Sequence, residues 1–228
     1  MKKNILIIIV AVLIVLVTTF SIFKNNTNVE TDESKFKKEY ESLNNTYNES
    51  SKHDYVKVEI DNDNPIVYSN YEEVVDILKN KTGVIYFGFK ECPWCRNAVP
   101  VLIDAAKELG IDKIYYYDNK DSRDQKSLDE NGNIVTEKEG TDEYKNLVEI
   151  LKDYLPSYDG LNDDSIKRLY YPTVVFVKDG KILSLHTSTV DSQKDPYTPL
   201  TTKQKNELKQ IYMDGMNSVY DVLCDEAC

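Results

Sequence analysis

The sequence predicts an α/β protein built on a central mixed sheet with flanking helices. Three observations predict it. Apolar runs of strand length alternate with helical repeats up to residue 117. Two later apolar runs, 173–177 and 182–186, flank the turn Lys178-Asp179-Gly180-Lys181. Between the early strands, Cys92-Pro93-Trp94-Cys95 opens an amphipathic segment.

In order along the chain, Tyr55-Val56-Lys57-Val58-Glu59-Ile60 alternates at period two and reads as an early strand. Asn64-Pro65 marks a turn. Residues 71–80 place Val74, Val75, Ile77 and Leu78 at helical spacing. Gly83 breaks the chain before a strand at 84–89, and the helix of 98–109 ends at Gly110, a residue suited to a helix C-terminus. A strand follows at 113–117, where Tyr115-Tyr116-Tyr117 must alternate between faces. The polar stretch 120–169 contains the turn signal Asn131-Gly132-Asn133 and a helical repeat at 144–155. The hairpin of 173–186 and a final helix over about 199–223 complete the domain.

The front of the chain is different in kind. Residues 5–23 carry no charge, with Thr18, Thr19 and Ser21 as the only polar members, and Lys2 and Lys3 precede them. At ~1.5 Å per residue such a run can just cross a bilayer core. The expectation is a single membrane anchor whose lysines keep the N-terminus in the cytoplasm. A cleaved signal peptide is the competing reading, against which the bulky end Phe20-Ser21-Ile22-Phe23 speaks. Either way the domain lies outside the cytoplasm. Residues 24–54 read as a polar tether with a helical stretch around 35–43, and 55–228 as the domain.

Net charge is −11, from 39 acidic against 28 basic residues, which argues against nucleic acid as a partner. The four cysteines fall into two pairs, Cys92 with Cys95 and Cys224 with Cys228. The second pair is compatible with a structural disulfide, a mobile second redox pair, or free or intermolecular thiols. A zinc site would need both pairs together, and a helix of this length separates them, so no metal and no cofactor are expected. His53 and His186 sit in no motif. Asp61-Asn62-Asp63-Asn64 lacks the spacing of a calcium loop and reads as a solvated turn.

A thiol becomes a good nucleophile as a thiolate, and backbone N–H groups at a helix start stabilise that anion. Pro93 suits the first helical position, where its missing N–H costs nothing. Lys90 and Arg96 add positive charge beside the pair and Glu91 negative.

These marks resemble the thioredoxin superfamily over about 55–223: Cys92-Pro93-Trp94-Cys95 after a strand, Tyr171-Pro172-Thr173 before another, and the turn Lys178-Asp179-Gly180. In detail the chain is similar to membrane-anchored, extracytoplasmic thioredoxin-like proteins of Gram-positive bacteria, including the group called bacteriocin transport accessory proteins. The resemblance implies a cis Pro172 facing the redox pair and a Tyr171 backbone that pairs with an extended substrate. Pro93, Trp94 and Thr173 would complete the substrate surface, although packing serves Trp94 equally well. It implies Cys92 at an exposed helix start as nucleophile and Cys95 as resolving thiol. The implied function is thiol–disulfide exchange on exported proteins or peptides, with a transmembrane redox partner where electrons must be supplied. The alternative is a non-catalytic accessory that binds an exporter or a secreted peptide.

Two departures stand out. The superfamily's buried acid, six positions before the first cysteine, is Tyr86 here. The stretch before Pro172 is longer than in compact members, an insertion placed to supply substrate selectivity. Pro93-Trp94 is closer to the glutaredoxin dipeptide than to the thioredoxin one, which does not by itself imply glutathione.

Overall fold

The structure is a computed structural model and describes residues 30–220. The expected anchor at 5–23 lies outside the described residues. So does the expected second pair: Cys224 and Cys228 both follow the last described residue, and the disulfide considered between them lies outside the described residues too. Among the described residues no helix is long and apolar enough to cross a membrane.

Helix α1 (Asp32–Glu41) comes first, then a small hairpin of β1 (Tyr47–Asn48) and β2 (His53–Asp54). The main sheet starts with β3 (Ile66–Tyr68). Next come α2 (Tyr71–Asn80), β4 (Gly83–Phe87), α3 (Pro93–Glu108) and β5 (Ile114–Tyr117). An outlying hairpin, β6 (Gln125–Leu128) with β7 (Ile134–Lys138), and helix α4 (Asp142–Leu151) follow. The chain returns through β8 (Thr173–Lys178) and β9 (Lys181–Thr187) and finishes in α5 (Thr202–Tyr220). The sheet order is β3-β5-β4-β8-β9. The first three strands run parallel, and β8 and β9 join antiparallel. A mixed sheet in α/β is what the sequence predicts.

Every residue of β4 is buried because helices cover both faces, so this strand reads as a continuous apolar run. Alternation then sorts its side chains. Val84 and Tyr86, with Val174 and Phe176 of β8, face the core shared with α1, α3 and α5. Ile85 and Phe87, with Val175 and Val177, face α2 and α4. Asn70 caps α2 by accepting from the Glu73 N–H at 2.9 Å. Gly110, at φ +67, takes the left-handed turn that ends α3. In α5, any side chain at Gly215 would collide with the Phe176 ring, so glycine lets the helix approach the sheet.

Three expectations need correction. The expected tether 24–54 is not one over its described part from residue 32 on: Phe36 and Tyr40 of α1 are both fully buried in the main core. Two aromatics four residues apart make one apolar stripe on an otherwise charged helix, and the composition hides it. The alternation at 55–60 is real, with Val56, Val58 and Ile60 buried, but no strand forms there. Side chains take the place of a partner strand. Asn44 donates Nδ2 to Val58 O at 2.7 Å and accepts from Val58 N at 2.9 Å. Glu41 accepts from Ile60 N at 2.8 Å, Lys37 donates to Ile60 O, and Arg96 Nε donates to Val56 O at 2.7 Å. Thirdly, the stretch 120–169, expected as an insertion with one helix, holds a hairpin as well as a helix. Residues 134–138 are all exposed, so no apolar alternation announces the strand. Its turn is built by Asp129, whose Oδ1 accepts from the N–H groups of Asn131 and Asn133 at 2.8 Å.

Candidate active site

The chain leaves β4 through Gly88-Phe89-Lys90-Glu91 and enters α3 with Cys92 as N-cap and Pro93 in the first turn. The Cys92 Sγ accepts from the Cys95 N–H at 3.3 Å, so the sulfur occupies the place of an oxygen cap at a helix start. On its other side Cys92 Sγ lies 3.6 Å from Tyr171 O, to which the thiol donates. The Tyr171-Pro172 bond is cis. The two cysteines and the Tyr171-Pro172 turn, 79 residues apart in sequence, are therefore one site. The Cys92 and Cys95 thiols are free.

The expected exposure of Cys92 is corrected: it is only 5 % exposed. Phe89, Trp94 and Tyr117 pack against the apolar cluster that contains both cysteines, and the Tyr171 ring meets Phe89 edge-on at 5.3 Å. Asn119 accepts from the Tyr171 hydroxyl at 2.8 Å and fixes that ring. Pro93 and Trp94 are partly exposed at the rim. Thr173, expected on the substrate surface, is fully buried. Its hydroxyl donates to Tyr170 O at 2.8 Å and meets the Thr187 hydroxyl at 2.9 Å, because it is the first residue of an interior strand.

Cys95 is fully buried. Burial pushes its thiol well above the usual range, and the neighbouring Cys92 adds to this. The Phe89 backbone and the Tyr86 hydroxyl work the other way and pull it back. The place of an acid under the second cysteine is thus filled by a neutral donor. The Tyr86 and Tyr40 hydroxyls lie 2.8 Å apart. Burial raises both phenols far above their ordinary pKa, so neither ionises near neutrality. A side chain at Gly88 would collide with the Tyr86 hydroxyl, and glycine there lets the ring lie forward toward Cys95.

Arg96 does not serve the sulfurs as expected. Only 1 % exposed, it donates to Val56 O, Tyr40 O and Asn44 Oδ1 at 2.7–2.8 Å and to Lys90 O at 3.2 Å. All four acceptors are neutral, and burial holds its pKa below the ordinary arginine value. Glu91 is paired with Lys120 at 2.9 Å. Tyr40, Asn119 and the structural role of Arg96 were not read from the sequence. The one available signal was Tyr86-x-Gly88, a large side chain two residues before a missing one just past the strand end.

The remaining candidates fall elsewhere. His53 stacks on Tyr197 at 3.9 Å, and His186 Nε2 lies 2.7 Å from Thr189 O. Tyr116 is buried among the aromatics under α1, with Tyr115 and Tyr117 on the opposite face. Asp61 pairs with Lys107 at 2.6 Å and Asn64 bonds back to Asp61 O at 2.8 Å, a closed turn. Among the described residues no group of three or more His, Cys, Asp or Glu is arranged to hold a metal ion.

No protein-family model matches the chain, and no curated protein sequence does. Among solved structures, it is similar to thioredoxin O2 from Arabidopsis thaliana in the oxidised state, at 16% identity and a TM-score of 0.34, covering 65% of this chain and 96% of that one. It is similar to thioredoxin from Aeropyrum pernix at 19% identity and a TM-score of 0.31, covering 64% and 86%. A thioredoxin-fold protein from Helicobacter pylori matches at 18% identity and a TM-score of 0.28, covering 68% and 91%. The strand order, the cysteine-opened helix and the cis proline, taken on their own, describe a thioredoxin-like α/β fold with a mixed central sheet.

Proposed function

We propose that this chain is a thiol–disulfide oxidoreductase acting on exported proteins or peptides. The observation that carries the reading is the Cys92 sulfur held between a helix start and the Tyr171 carbonyl, with Cys95 one turn behind it. Cys92 thiolate attacks one sulfur of a substrate disulfide; a mixed disulfide forms and the other substrate sulfur leaves as thiolate, taking up a proton. Cys95, deprotonated, then attacks Cys92 Sγ. The Cys92–Cys95 disulfide forms and the second substrate sulfur is released. Two electrons pass to the substrate, and the reverse sequence oxidises a substrate dithiol. Tyr86, supported by Tyr40, is a neutral donor that steadies the charge developing on the Cys95 sulfur; it takes no proton, so the Cys95 proton passes to solvent. The anchor at 5–23 would hold the domain at the outer face of the membrane, where disulfides persist.

The test is disulfide exchange on a fluorescent disulfide peptide. Cys92→Ser is expected to lose turnover to the uncatalysed background, and Cys95→Ser to accumulate a substrate mixed disulfide on Cys92. Turnover by Cys92→Ser equal to that of the unaltered chain would sink the catalytic reading in favour of a non-catalytic binding protein. Cys92's near-complete enclosure is the observation that favours that second reading.

A further inference from the structure

The insertion carries a feature that the exchange chemistry leaves unused. A cavity of about 380 Å³ is lined by Lys120, Arg123, Lys126, Lys138 and Arg168, against two carboxylates, Asp124 and Asp159. Five cations around one opening are unusual in a chain of net charge −11. Lys120 is neutralised by Glu91 at 2.9 Å, and Lys126 lies 3.6 Å from Asp124. Arg123, Lys138 and Arg168 have no carboxylate within ion-pair distance among the described residues. Lys138 Nζ donates instead to Asp121 O at 2.7 Å.

The cations are also held in place. Arg168 lies over the Tyr158 ring at 4.1 Å and the Tyr170 ring at 5.4 Å. Both rings are fixed in turn: the Tyr158 hydroxyl accepts from Lys126 N at 2.8 Å and the Tyr170 hydroxyl from Asp159 N at 2.7 Å. The Arg168 Nε is buried and has no hydrogen-bond partner among the described residues. A guanidinium set between aromatic faces has lost its freedom before a ligand arrives, which lowers the cost of binding a carboxylate by its fork.

The cavity adjoins the sulfurs by two links. Arg123 lies over the Tyr171 ring at 5.1 Å, and the Tyr171 carbonyl meets Cys92 Sγ. Lys120 holds Glu91, the residue before Cys92. We infer that this pocket binds acidic side chains of the polypeptide whose disulfide is presented to Cys92, so that the substrate class is a disulfide with Asp or Glu close by in the same chain. This rests on the oxidoreductase reading for its purpose, but not for its binding. The negative surface elsewhere repels such a segment and the pocket attracts it, which concentrates it at one place and in one orientation.

The experiment uses the full chain and two peptides alike except for three Asp/Glu residues or their Asn/Gln counterparts. Each is made with a disulfide and with serines replacing its cysteines. Fluorescence anisotropy of the serine forms reads binding without thiol chemistry. The acidic peptide is expected to bind about tenfold tighter than the amide peptide, with the gap closing at high salt. Lys138→Glu, at an exposed position, and Arg168→Gln should each erase most of the gap while melting as the unaltered chain does. Equal affinity for the two peptides, or a gap unchanged in Lys138→Glu, overturns the pocket. Acidic preference with no exchange on either disulfide peptide leaves the pocket standing and overturns the oxidoreductase reading alone.

Discussion

The two flanks of the cysteine pair are built from opposite materials. Beneath Cys95 lie the neutral hydroxyls of Tyr86 and Tyr40, buried with the aromatics of α1 and β5 and with no carboxylate in hydrogen-bond contact with the sulfur among the described residues. Beyond Tyr171 lies the insertion's ring of cations, open to solvent and short of anions. The inner flank acts at the sulfur through short-range hydrogen bonds, whose strength depends on exclusion of water. The outer flank acts at longer range through charge, which salt screens. Tuning and selection are thereby separable in one site, and the inner flank is the one that substitutions should damage most.

Arg96 underlies the inner flank and is expected to give the largest effect on stability. Arg96→Met leaves the Val56, Tyr40 and Lys90 carbonyls without their donor, and Asn44 Oδ1 with the Val58 N–H alone, at about 3–5 kcal/mol, given ~1–3 kcal/mol per orphaned group and incomplete additivity. Urea unfolding checks this. Arg96→Lys should recover little, because a point ammonium cannot span the fork of acceptors.

Tyr86→Phe is next, at roughly 1–2 kcal/mol, since it leaves the buried Tyr40 hydroxyl without its partner. It also removes a donor from Cys95, so the Cys95 pKa should rise further and the mixed disulfide with substrate should persist longer. Quenched-flow trapping of that intermediate measures it, and unchanged lifetimes in Tyr86→Phe would show that the tyrosine only fills space. The outer flank should ignore this change: preference between acidic and amide peptides stays as it was.

The smallest effect is a pH dependence. Burial lowers the His186 pKa, while its bond to Thr189 O works the other way. The folded state therefore binds a proton less readily than the unfolded one. Stability from this group is present above the ordinary histidine pKa and is lost as pH falls from there toward the lower folded value. The loss stays below ~1.4 kcal/mol per pH unit. Thermal melts across that window should show the slope in the unaltered chain and a shallower one in His186→Gln.

What the sequence made legible was whatever announces itself by local pattern. Cys92-x-x-Cys95 lies on a helix start after a strand, and β4, α2 and the β8–β9 hairpin follow from apolar runs and the Asp179-Gly180 turn. Tyr171-Pro172 meets the pair as the resemblance implied. Long-range partners were not legible. The alternation at 55–60 cannot reveal that Asn44, Glu41 and Arg96 bond it instead of a strand. Nor does the polar stretch 120–169 disclose the cluster of its cations, because Lys120 and Arg168 become neighbours only when β6 and β7 fold back. Thr173 misled for the same reason: adjacency to Pro172 suggested the surface, while strand position put it inside.

The buried Arg96 also bears on where the functional unit begins. One guanidinium joins Tyr40 and Asn44, Val56, and the Lys90 loop that leads into Cys92. The stretch before residue 55 is thus not an appendage that recombination could exchange freely for another stalk. A chimera keeping only residues 55–220 would inherit a buried cation without half its acceptors, one turn of helix from the Cys92 sulfur. Evolutionary shuffling of this domain must carry α1 with it.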